Sequence, residues 1–331
     1  MRILRTHVAG GPDTLTLDEI DPPVPGPGQA LVAVRACAIN FPDTLMIRDL
    51  YQVKPPRPFA PGGEVAGVIE ALGEGVSGWK VGDRVLVLLG HGGLAEKVAV
   101  EATAMFPVPD NVPFETASTL LLTYATNMHG LKDRGRLKAG DTMLVLGAAG
   151  GVGVAAVELG KAFGARVVAA VSSEAKAEVA RETGADEVVI YGAAPFDKDQ
   201  SRALAQQFKA ACGPDGANVV YDIVGGDYSE PALRAIAWEG RFVVVGFPAG
   251  IARMPLNLTL LKSCDICGVF WGAFAAREPQ RNAEHIAELF RLLAAGRIKP
   301  RISQVLPLER AGEAIAWLDA RQAVGKVVVR L

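Results

Sequence analysis

The sequence has few residues of the kinds that hold metals or cross-link chains, and it has no long apolar run. It contains 4 cysteines and 4 histidines among 331 residues. So few cysteines exclude a disulfide framework in a chain of this length and are typical of a reducing compartment. No apolar run reaches the ~18 residues that a membrane span requires, and residues 1–10 lack the pattern of a signal peptide. We therefore expect a soluble, cytoplasmic protein without a membrane partner.

The sequence also has no large excess of positive or negative charge. The chain carries 34 lysines and arginines against 36 aspartates and glutamates, a net charge of -2. No basic block interrupts this balance, so we expect no nucleic-acid partner. Half of the residues are hydrophobic, at 50%, and the length suggests two domains.

The cysteines and histidines do not form a metal-binding pattern. Cys264 and Cys267 make a single C-x-x-C, which is either a redox or metal pair or two small apolar residues before a strand. No second C-x-x-C and no nearby histidine support a zinc site, so the second interpretation is favoured. The histidines, which we interpret as surface or capping residues, are His7, His91, His129 and His285.

The first part of the sequence is typical of a β domain. Residues 1–120 are rich in proline and glycine, and turn clusters separate short β-like runs. Such spacing predicts a small, mostly antiparallel sheet. The predicted strands are Ala30–Cys37, Glu64–Ala71, Arg84–Leu89, Ala95–Val100 and Met105–Val108. Residues 297–331 again contain β-like runs, with one predicted helix, Glu309–Ala320. We expect this tail to join the first domain.

Residues 121–296 alternate between strand-like and helix-like runs. This alternation predicts an α/β fold with a doubly wound parallel sheet of the Rossmann type. The predicted strands are Thr142–Leu146, Arg166–Val171, Glu187–Ile190, Asn218–Ile223, Arg241–Val245 and Ile266–Phe270. The predicted helices are Gly153–Phe163, Glu174–Thr183, Ser201–Cys212, Tyr228–Ala237 and Glu284–Ala295.

A glycine-rich turn lies between the first of these strands and the first of these helices. Backbone N–H groups at a helix start have no partner within the helix and attract anions. Gly150 allows the backbone to approach a pyrophosphate, and Gly153 allows the helix to lie close to the strand. The usual G-x-G-x-x-G begins here with alanine. The turn predicts a dinucleotide site formed by Ala148, Gly150, Gly151, Val152 and Gly153.

The residues after the second strand indicate which dinucleotide binds. An NAD site places Asp or Glu there to bind the ribose 2′-hydroxyl. This chain has Ser172, Ser173 and Lys176 instead, and hydroxyls with an ammonium suit a 2′-phosphate. We therefore predict NADPH as the cofactor. In the alternative interpretation, one serine is only a helix N-cap and Lys176 is a solvated helix residue.

Several motifs, spread over nearly the whole chain, share one resemblance. They are N-F-P-D-T from Asn40, G-G-E-V-A-G from Gly62, G-D-T-M-L-V-L-G-A-A-G-G-V-G from Gly140, Y-D-I-V-G-G from Tyr221, and V-G-F from Val245. With them the sequence resembles the zinc-free quinone oxidoreductases, the zeta-crystallin-like branch of the medium-chain dehydrogenase/reductase superfamily. The resemblance implies a GroES-like β domain beside the Rossmann domain. Glu158 replaces the glutamine that this branch usually has.

The resemblance also bears on the metal. In the zinc enzymes of this superfamily, a cysteine and the histidine of G-H-E hold the catalytic ion. The equivalent positions here are Asn40 and Gly63, and Cys37 lies too early in the sequence. A metal-free enzyme is therefore implied. Because it has no strong Lewis acid, it suits acceptors that are already electron-poor, such as quinones or α,β-unsaturated carbonyls.

Individual roles follow from the resemblance. It implies that Asn40, Asp43, Tyr51 and Thr123 act at the reacting groups, although Asn40 and Asp43 also suit a turn and Thr123 a helix interior. A second family tyrosine is replaced by Leu45. Tyr191 and Arg321 correspond to positions that bind the 2′-phosphate in relatives. The strand ends implied to face the nicotinamide half carry Val224, Gly246, Phe247, Phe270, Trp271 and Gly272.

We therefore predict an NADPH-dependent, metal-free reductase of quinones or enones, a homodimer paired through the last Rossmann strand, with a small-molecule electron acceptor. One alternative keeps the fold but reduces an enoyl- or acryloyl-CoA thioester. It would need a basic patch for the CoA phosphate, for which Arg48, Lys54 and Arg57 are the candidates. A second alternative is a non-catalytic NADPH-binding protein, a reuse seen in lens crystallins of this family.

Overall fold

The computed structural model describes residues 1–320 and 322–331. The strands are β1 (Arg2–Thr6), β2 (Leu15–Glu19), β3 (Gln29–Ile39), β4 (Glu64–Leu72), β5 (Arg84–Leu88), β6 (Lys97–Glu101), β7 (Met105–Pro107), β8 (Thr142–Leu146), β9 (Arg166–Val171), β10 (Glu187–Ile190), β11 (Ala217–Asp222), β12 (Ile236–Val244), β13 (Asp265–Gly268), β14 (Ile302–Pro307) and β15 (Lys326–Arg330).

The α-helices are α1 (Phe41–Met46), α2 (Phe114–Ala117), α3 (Thr126–Met128), α4 (Gly151–Ala162), α5 (Glu174–Glu182), α6 (Lys198–Cys212), α7 (Ser229–Arg234), α8 (Asn257–Lys262), α9 (Trp271–Arg277), α10 (Pro279–Ala294) and α11 (Ala311–Asp319). Two segments, Leu120–Ala125 and His129–Arg134, are π-helical. None of the helices within the described residues combines the length and the apolar character that a membrane crossing requires.

The chain folds into two compact units. Unit 1 comprises Met1–Leu122 and Pro300–Leu331, and unit 2 comprises Thr123–Lys299. In unit 1, strands run in the order β14-β15-β3-β4-β5-β7, with β6 paired to β3. Every pairing in this sheet is antiparallel except that of β14 with β15. The tail thus joins the first β sheet, because β15 pairs directly with β3.

Unit 2 contains a six-stranded parallel sheet in the order β10-β9-β8-β11-β12-β13. Four of the five residues of β8 are fully buried, as expected of a central parallel strand with helices on both faces. After β10 the chain returns to the other side of β8, so the strand order reverses between β8 and β11. In open α/β sheets, ligands bind outside the carboxyl ends of the strands at such a reversal.

The predicted fold class, a doubly wound parallel sheet and a mostly antiparallel β sheet, is confirmed. Several element boundaries were wrong: for example, α10 begins at Pro279 and not at Glu284, and β12 begins at Ile236 and not at Arg241. The predicted helix Tyr228–Ala237 ends at Arg234, because Ile236 already pairs with Ala217 at the start of β12. The predicted strand Ile266–Phe270 ends at Gly268, and Trp271 begins helix α9 instead.

Candidate functional site

The glycine turn of unit 2 is a tight strand-to-helix connection. Gly147 follows β8 in the left-handed region, at φ 75°. Gly150 is the N-cap of α4 in extended conformation, so the first N–H groups of this helix open toward the turn. A Cβ at Gly153 would lie 2.1 Å from the carbonyl oxygen of Gly147, whereas a Cβ at Gly150 would lie 3.6 Å from the same oxygen. Close packing therefore requires glycine at 153, and Gly150 leaves room for a ligand.

A second loop lies against this turn. A Cβ at Gly147 would be 2.9 Å from Cγ2 of Val224, which places Val224 beside the glycine turn. Asp222, at the end of β11, shapes this loop: its Oδ1 accepts hydrogen bonds from the N–H groups of Val224, at 2.9 Å, and Gly225, at 2.8 Å. Its Oδ2 accepts from the hydroxyl of Ser229 at 2.5 Å. Burial raises the pKa of Asp222, and these three donors oppose that rise.

The loop after β12 joins the same region. The N–H of Gly246 donates to the carbonyl oxygen of Asp222 at 3.3 Å. Phe247 is 54% exposed, and a Cβ at Gly225 would lie 2.9 Å from its Cα. The structure thus brings the predicted residues Val224, Gly246 and Phe247 together at the carboxyl ends of β11 and β12.

Ser172 and Lys176 are in contact just beyond β9. The ammonium of Lys176 donates to the hydroxyl of Ser172 at 3.1 Å. Ser173, and not Ser172, is the N-cap of α5, since its Oγ accepts from the backbone N–H of Lys176 at 3.4 Å. The hydroxyl of Ser172 is therefore not used for capping, and it forms with the Lys176 ammonium a compact donor pair that suits a phosphate.

Of the other two predicted 2′-phosphate residues, the structure describes Tyr191 and does not describe Arg321. The backbone N–H of Tyr191 donates to the carbonyl oxygen of Val171 at 2.9 Å, which places it beside the end of β9. Its ring is buried and lies 4.7 Å from the ring of Tyr228. Arg321 lies outside the described residues.

Two adjacent predicted residues after the last parallel strand differ in exposure. Phe270 is 77% exposed, whereas Trp271 is buried and donates its indole N–H to Oδ1 of Asn282 at 2.9 Å. Trp271 therefore belongs to the interior of unit 2. Gly272 is exposed on the first turn of α9.

In unit 1, Asn40 and Asp43 are buried and bonded to each other at the start of α1. The N–H of Asn40 donates to Oδ2 of Asp43 at 2.7 Å, and the N–H of Gly62 donates to Oδ1 at 2.8 Å. The amide nitrogen of Asn40 donates to the carbonyl oxygen of Ala38 at 3.2 Å and to Oε2 of Glu64 at 3.1 Å. Burial raises the pKa of Asp43 to about 6, although both backbone donors oppose it.

Two further residues of this cluster, Glu64 and Lys326, were not predicted from the sequence to have a role. The ammonium of Lys326 donates to Oδ1 of Asn40 and lies 3.6 Å from Oε2 of Glu64. Both side chains are almost fully buried, at 5% and 0% exposure. The available signal was weak: a single lysine directly before three valines at the start of a predicted β segment.

Tyr51 and Thr123 differ in accessibility. Tyr51 lies in the loop after α1 and is partly exposed. Its pKa is raised by burial and by the nearby carboxylate of Asp43. Thr123 is buried within the π-helical segment Leu120–Ala125. Such π-helical turns are frequent at functional sites.

Two of the histidines were interpreted incorrectly as surface or capping residues. His129 and His285 are buried and both stack with the Phe274 ring, with ring centroids 4.0 Å and 5.6 Å from it. The Nδ1 of His129 is 2.7 Å from Oδ2 of Asp133. Cys264 and Cys267 are buried, in agreement with the apolar interpretation.

Comparison with known proteins gives two family matches. Residues 26–110 match the family described as alcohol dehydrogenase GroES-like domain. Residues 151–290 match the family described as zinc-binding dehydrogenase. The chain is 35% identical to quinone oxidoreductase-like protein 2 of Rattus norvegicus, over 96% of this chain and 89% of that protein. It is 32% identical to quinone oxidoreductase of the same organism, over 95% and 92% of the two chains.

A solved structure shows the same relationship. The crystal structure of Escherichia coli quinone oxidoreductase complexed with NADPH matches with a TM-score of 0.90 at 29% identity, over 100% of both chains.

One family description names zinc, but the residues of this chain do not suit such an ion. The resemblance implies that Asn40 and Gly63 occupy the positions of zinc ligands, and a Cβ at Gly63 would lie 2.9 Å from the carbonyl oxygen of Gly90. Cys37 is fully buried, and burial raises the pKa of its thiol. The Lys326 ammonium already lies beside Glu64 and Asn40. Among the described residues, no three His, Cys, Asp or Glu side chains are grouped for a metal ion. The donor set does not fit zinc.

Proposed function

Because the chain belongs to the medium-chain dehydrogenase/reductase superfamily, we propose that it is a metal-free, NADPH-dependent oxidoreductase that transfers a hydride to quinones or α,β-unsaturated carbonyls. The observation that carries the cofactor assignment is the contact between Lys176 and Ser172 at the end of β9. An NAD site would have a carboxylate there, and a carboxylate would repel the 2′-phosphate.

The residues of unit 2 fit the dinucleotide. The N-terminus of α4 and the open space at Gly150 suit the pyrophosphate. Ser172 and Lys176 suit the 2′-phosphate, with Tyr191 as a further proposed contact; Arg321, which the resemblance implies for the same phosphate, is not part of this unit. Val224, Gly246 and Phe247, together with Phe270 and Gly272, are proposed to surround the nicotinamide half. NADPH, when bound, supplies the hydride.

The residues of unit 1 and the π-helical segment are proposed to act on the acceptor. Tyr51 carries a partly exposed phenol, which can donate a hydrogen bond to an acceptor oxygen as negative charge develops there. Thr123 is proposed to orient the reacting groups. Asn40 and Asp43 use their polar atoms within unit 1, which favours a role in holding the site's backbone. An acceptor that is already electron-poor needs no Lewis acid.

Two of the three basic residues that the thioester alternative would need are already paired with carboxylates. Arg48 donates to Oδ2 of Asp319 at 2.8 Å, and Arg57 donates to Oδ1 of Asp49 at 2.8 Å. Both guanidinium groups therefore already have carboxylate partners, which leaves Lys54 as the remaining candidate for a CoA phosphate. We favour the quinone or enone acceptor for this reason.

A panel assay tests the proposal. The enzyme is mixed with NADPH or NADH and with benzoquinones, simple enones or acryloyl-CoA, each with and without a chelator. We expect NADPH-dependent turnover of quinones or enones that the chelator does not change. Turnover of the thioester alone would favour the CoA-dependent alternative. Tight NADPH binding without turnover of any acceptor would favour the non-catalytic alternative.

We also propose a homodimer paired through β13. This strand is at the edge of the parallel sheet, and Ile266 on it and Phe270 after it are exposed. An edge strand offers unpaired backbone groups to a second copy. Sedimentation velocity should give twice the 34.7 kDa mass of the chain. A single monomeric species at micromolar concentration would contradict this proposal.

A further inference from the structure

One buried ammonium lies among two buried carboxylates in unit 1. Lys326 begins β15, and burial lowers its pKa, although the charges of Glu64 and Asp43 oppose that fall. Lysine is almost never fully buried unless it is paired. The described residues near this ammonium supply that pairing through Oε2 of Glu64, at 3.6 Å, and through Oδ1 of Asn40.

This ammonium determines the orientation of the Asn40 amide. Because Lys326 can only donate, it requires the oxygen of the amide on its side. The amide nitrogen then points to Ala38 and Glu64, at 3.2 Å and 3.1 Å. The backbone N–H of Asn40 is in turn bonded to Asp43 at the first turn of α1. Lys326 thus orients the side chain of the residue that directly precedes this helix.

The second partner of the ammonium extends the network to another segment. Oε1 of Glu64 accepts the backbone N–H groups of Leu121, at 2.5 Å, and Leu122, at 3.1 Å. These N–H groups lie at the start of the π-helical segment Leu120–Ala125, where a helix has no internal partners for them. A carboxylate is favourable at this end of a helix. The next residue in the chain is Thr123.

We propose that Lys326 is a positioning residue that, through Asn40 and Glu64, holds the backbone on which the acceptor-binding residues are carried. The inference rests on the proposed function. It assigns Lys326 no contact with substrate or cofactor: its effect reaches the reaction through the start of α1 and the backbone at Leu121 and Leu122. Small misplacements of such residues reduce turnover strongly, because catalysis depends on orientation.

Three variants separate positioning from mere stability. Lys326→Met removes the ammonium at similar length and leaves two buried carboxylates without their cation, which destabilises the fold. Lys326→Met/Glu64→Gln also removes one of those charges while the glutamine oxygen still accepts from Leu121 and Leu122. Lys97→Met is the matched control, since Lys97 pairs with Glu70 at 2.8 Å on the same sheet, near the surface.

Each variant is measured for melting temperature, NADPH affinity, kcat, and hydrogen exchange at Leu121 and Leu122. We expect the double variant to recover the melting temperature lost in Lys326→Met and to keep NADPH affinity. Its kcat should remain about tenfold or more below that of the wild type, because the Asn40 amide is no longer oriented. Lys97→Met should behave as the wild type. A stable double variant with wild-type kcat would overturn the inference.

The exchange measurement separates this inference from the proposed function. If the wild-type protein reduces no acceptor in the panel, the proposed function fails. Hydrogen exchange then still shows whether Lys326 holds the backbone. Faster exchange at Leu121 and Leu122 in Lys326→Met than in Lys97→Met supports that part, and equal exchange overturns it.

Discussion

The ammonium of Lys176 donates a hydrogen bond to the hydroxyl of Ser172 across 3.1 Å, at the carboxyl end of β9. The capping of α5 is performed by the neighbouring Ser173, so this contact is not required to start the helix. It brings an ammonium and a hydroxyl together at the place where dinucleotide-binding folds select between NAD and NADP.

Lys176→Ala should therefore raise the KM for NADPH about tenfold and leave the KM for NADH unchanged, because only the 2′-phosphate interacts with this ammonium. Steady-state kinetics with both cofactors measure the effect. Arg181→Ala is the control: this residue is on the same helix, and its guanidinium pairs with exposed Glu174 at 2.7 Å. Equal effects of Lys176→Ala on both cofactors would show that Lys176 does not recognise the 2′-phosphate.

Two glycines of the turn should respond differently to the same substitution. A Cβ at Gly153 would approach the Gly147 carbonyl oxygen to 2.1 Å, so Gly153→Ala must displace α4 from β8. We expect it to cost about 1–3 kcal/mol of unfolding free energy. At Gly150 the same oxygen would be 3.6 Å away, and the backbone is extended.

Gly150→Ala should therefore keep the melting temperature and weaken NADPH binding, because the methyl group occupies the space through which a phosphate approaches the backbone. Thermal unfolding and fluorescence titration with NADPH distinguish the two variants. Unchanged NADPH affinity in a folded Gly150→Ala protein would contradict the placement of the pyrophosphate at this turn.

The parallel sheet could be predicted from the sequence because its signals are local. Strand β8 has the predicted bounds, Thr142–Leu146, since its apolar run ends directly at Gly147. The helix predicted at Tyr228–Ala237 was too long for the opposite reason. Its last residues are apolar, which suits a helix or a strand equally, and they form a strand because Ile236 pairs with Ala217 on β11.

The cluster around Lys326 could not be predicted in this way. Lys326 and Asn40 are 286 positions apart, and they meet because β15 and β3 pair in antiparallel register. No single segment indicates that a lysine at the start of an apolar strand will lie beside a glutamate of β4. The resemblance identified Asn40 and Asp43, but the partners that hold them depend on the sheet order.

Stability should depend on pH through Asp43. Its pKa is raised from the usual 3.8 to about 6 in the folded protein, mainly by burial. Between these values the folded state binds more protons than the unfolded state, so the unfolding free energy falls as pH rises from about 4 to about 6 and then levels off. Over this range the titration of Asp43 lowers the unfolding free energy by about 3 kcal/mol.

Asp43→Asn should remove that slope. The asparagine oxygen still accepts one of the two backbone N–H groups, so a cost independent of pH is expected in addition. Denaturant unfolding between pH 4 and pH 8 measures the difference between variant and wild type. Asp110→Asn, at an exposed position of the same unit, is the control. Parallel curves for Asp43→Asn and wild type would show that Asp43 titrates normally.

Two buried tyrosines of unit 2 should respond in opposite directions to loss of the hydroxyl. Among the described residues, no protein group forms a hydrogen bond with the Tyr221 hydroxyl, which is fully buried. The hydroxyl of Tyr124 instead donates to Oε2 of Glu158 at 2.6 Å. Burial raises the pKa of Glu158, and this donor opposes that rise.

Tyr221→Phe should therefore be neutral or raise the unfolding free energy by up to about 1 kcal/mol, because it removes a polar group that no protein partner satisfies. Tyr124→Phe should lower it by about 1–3 kcal/mol, since it leaves the Glu158 carboxylate without its phenol donor. Chemical denaturation of both variants provides the comparison. A destabilised Tyr221→Phe variant would mean that this hydroxyl is hydrogen-bonded in the folded protein, in practice to a buried water molecule.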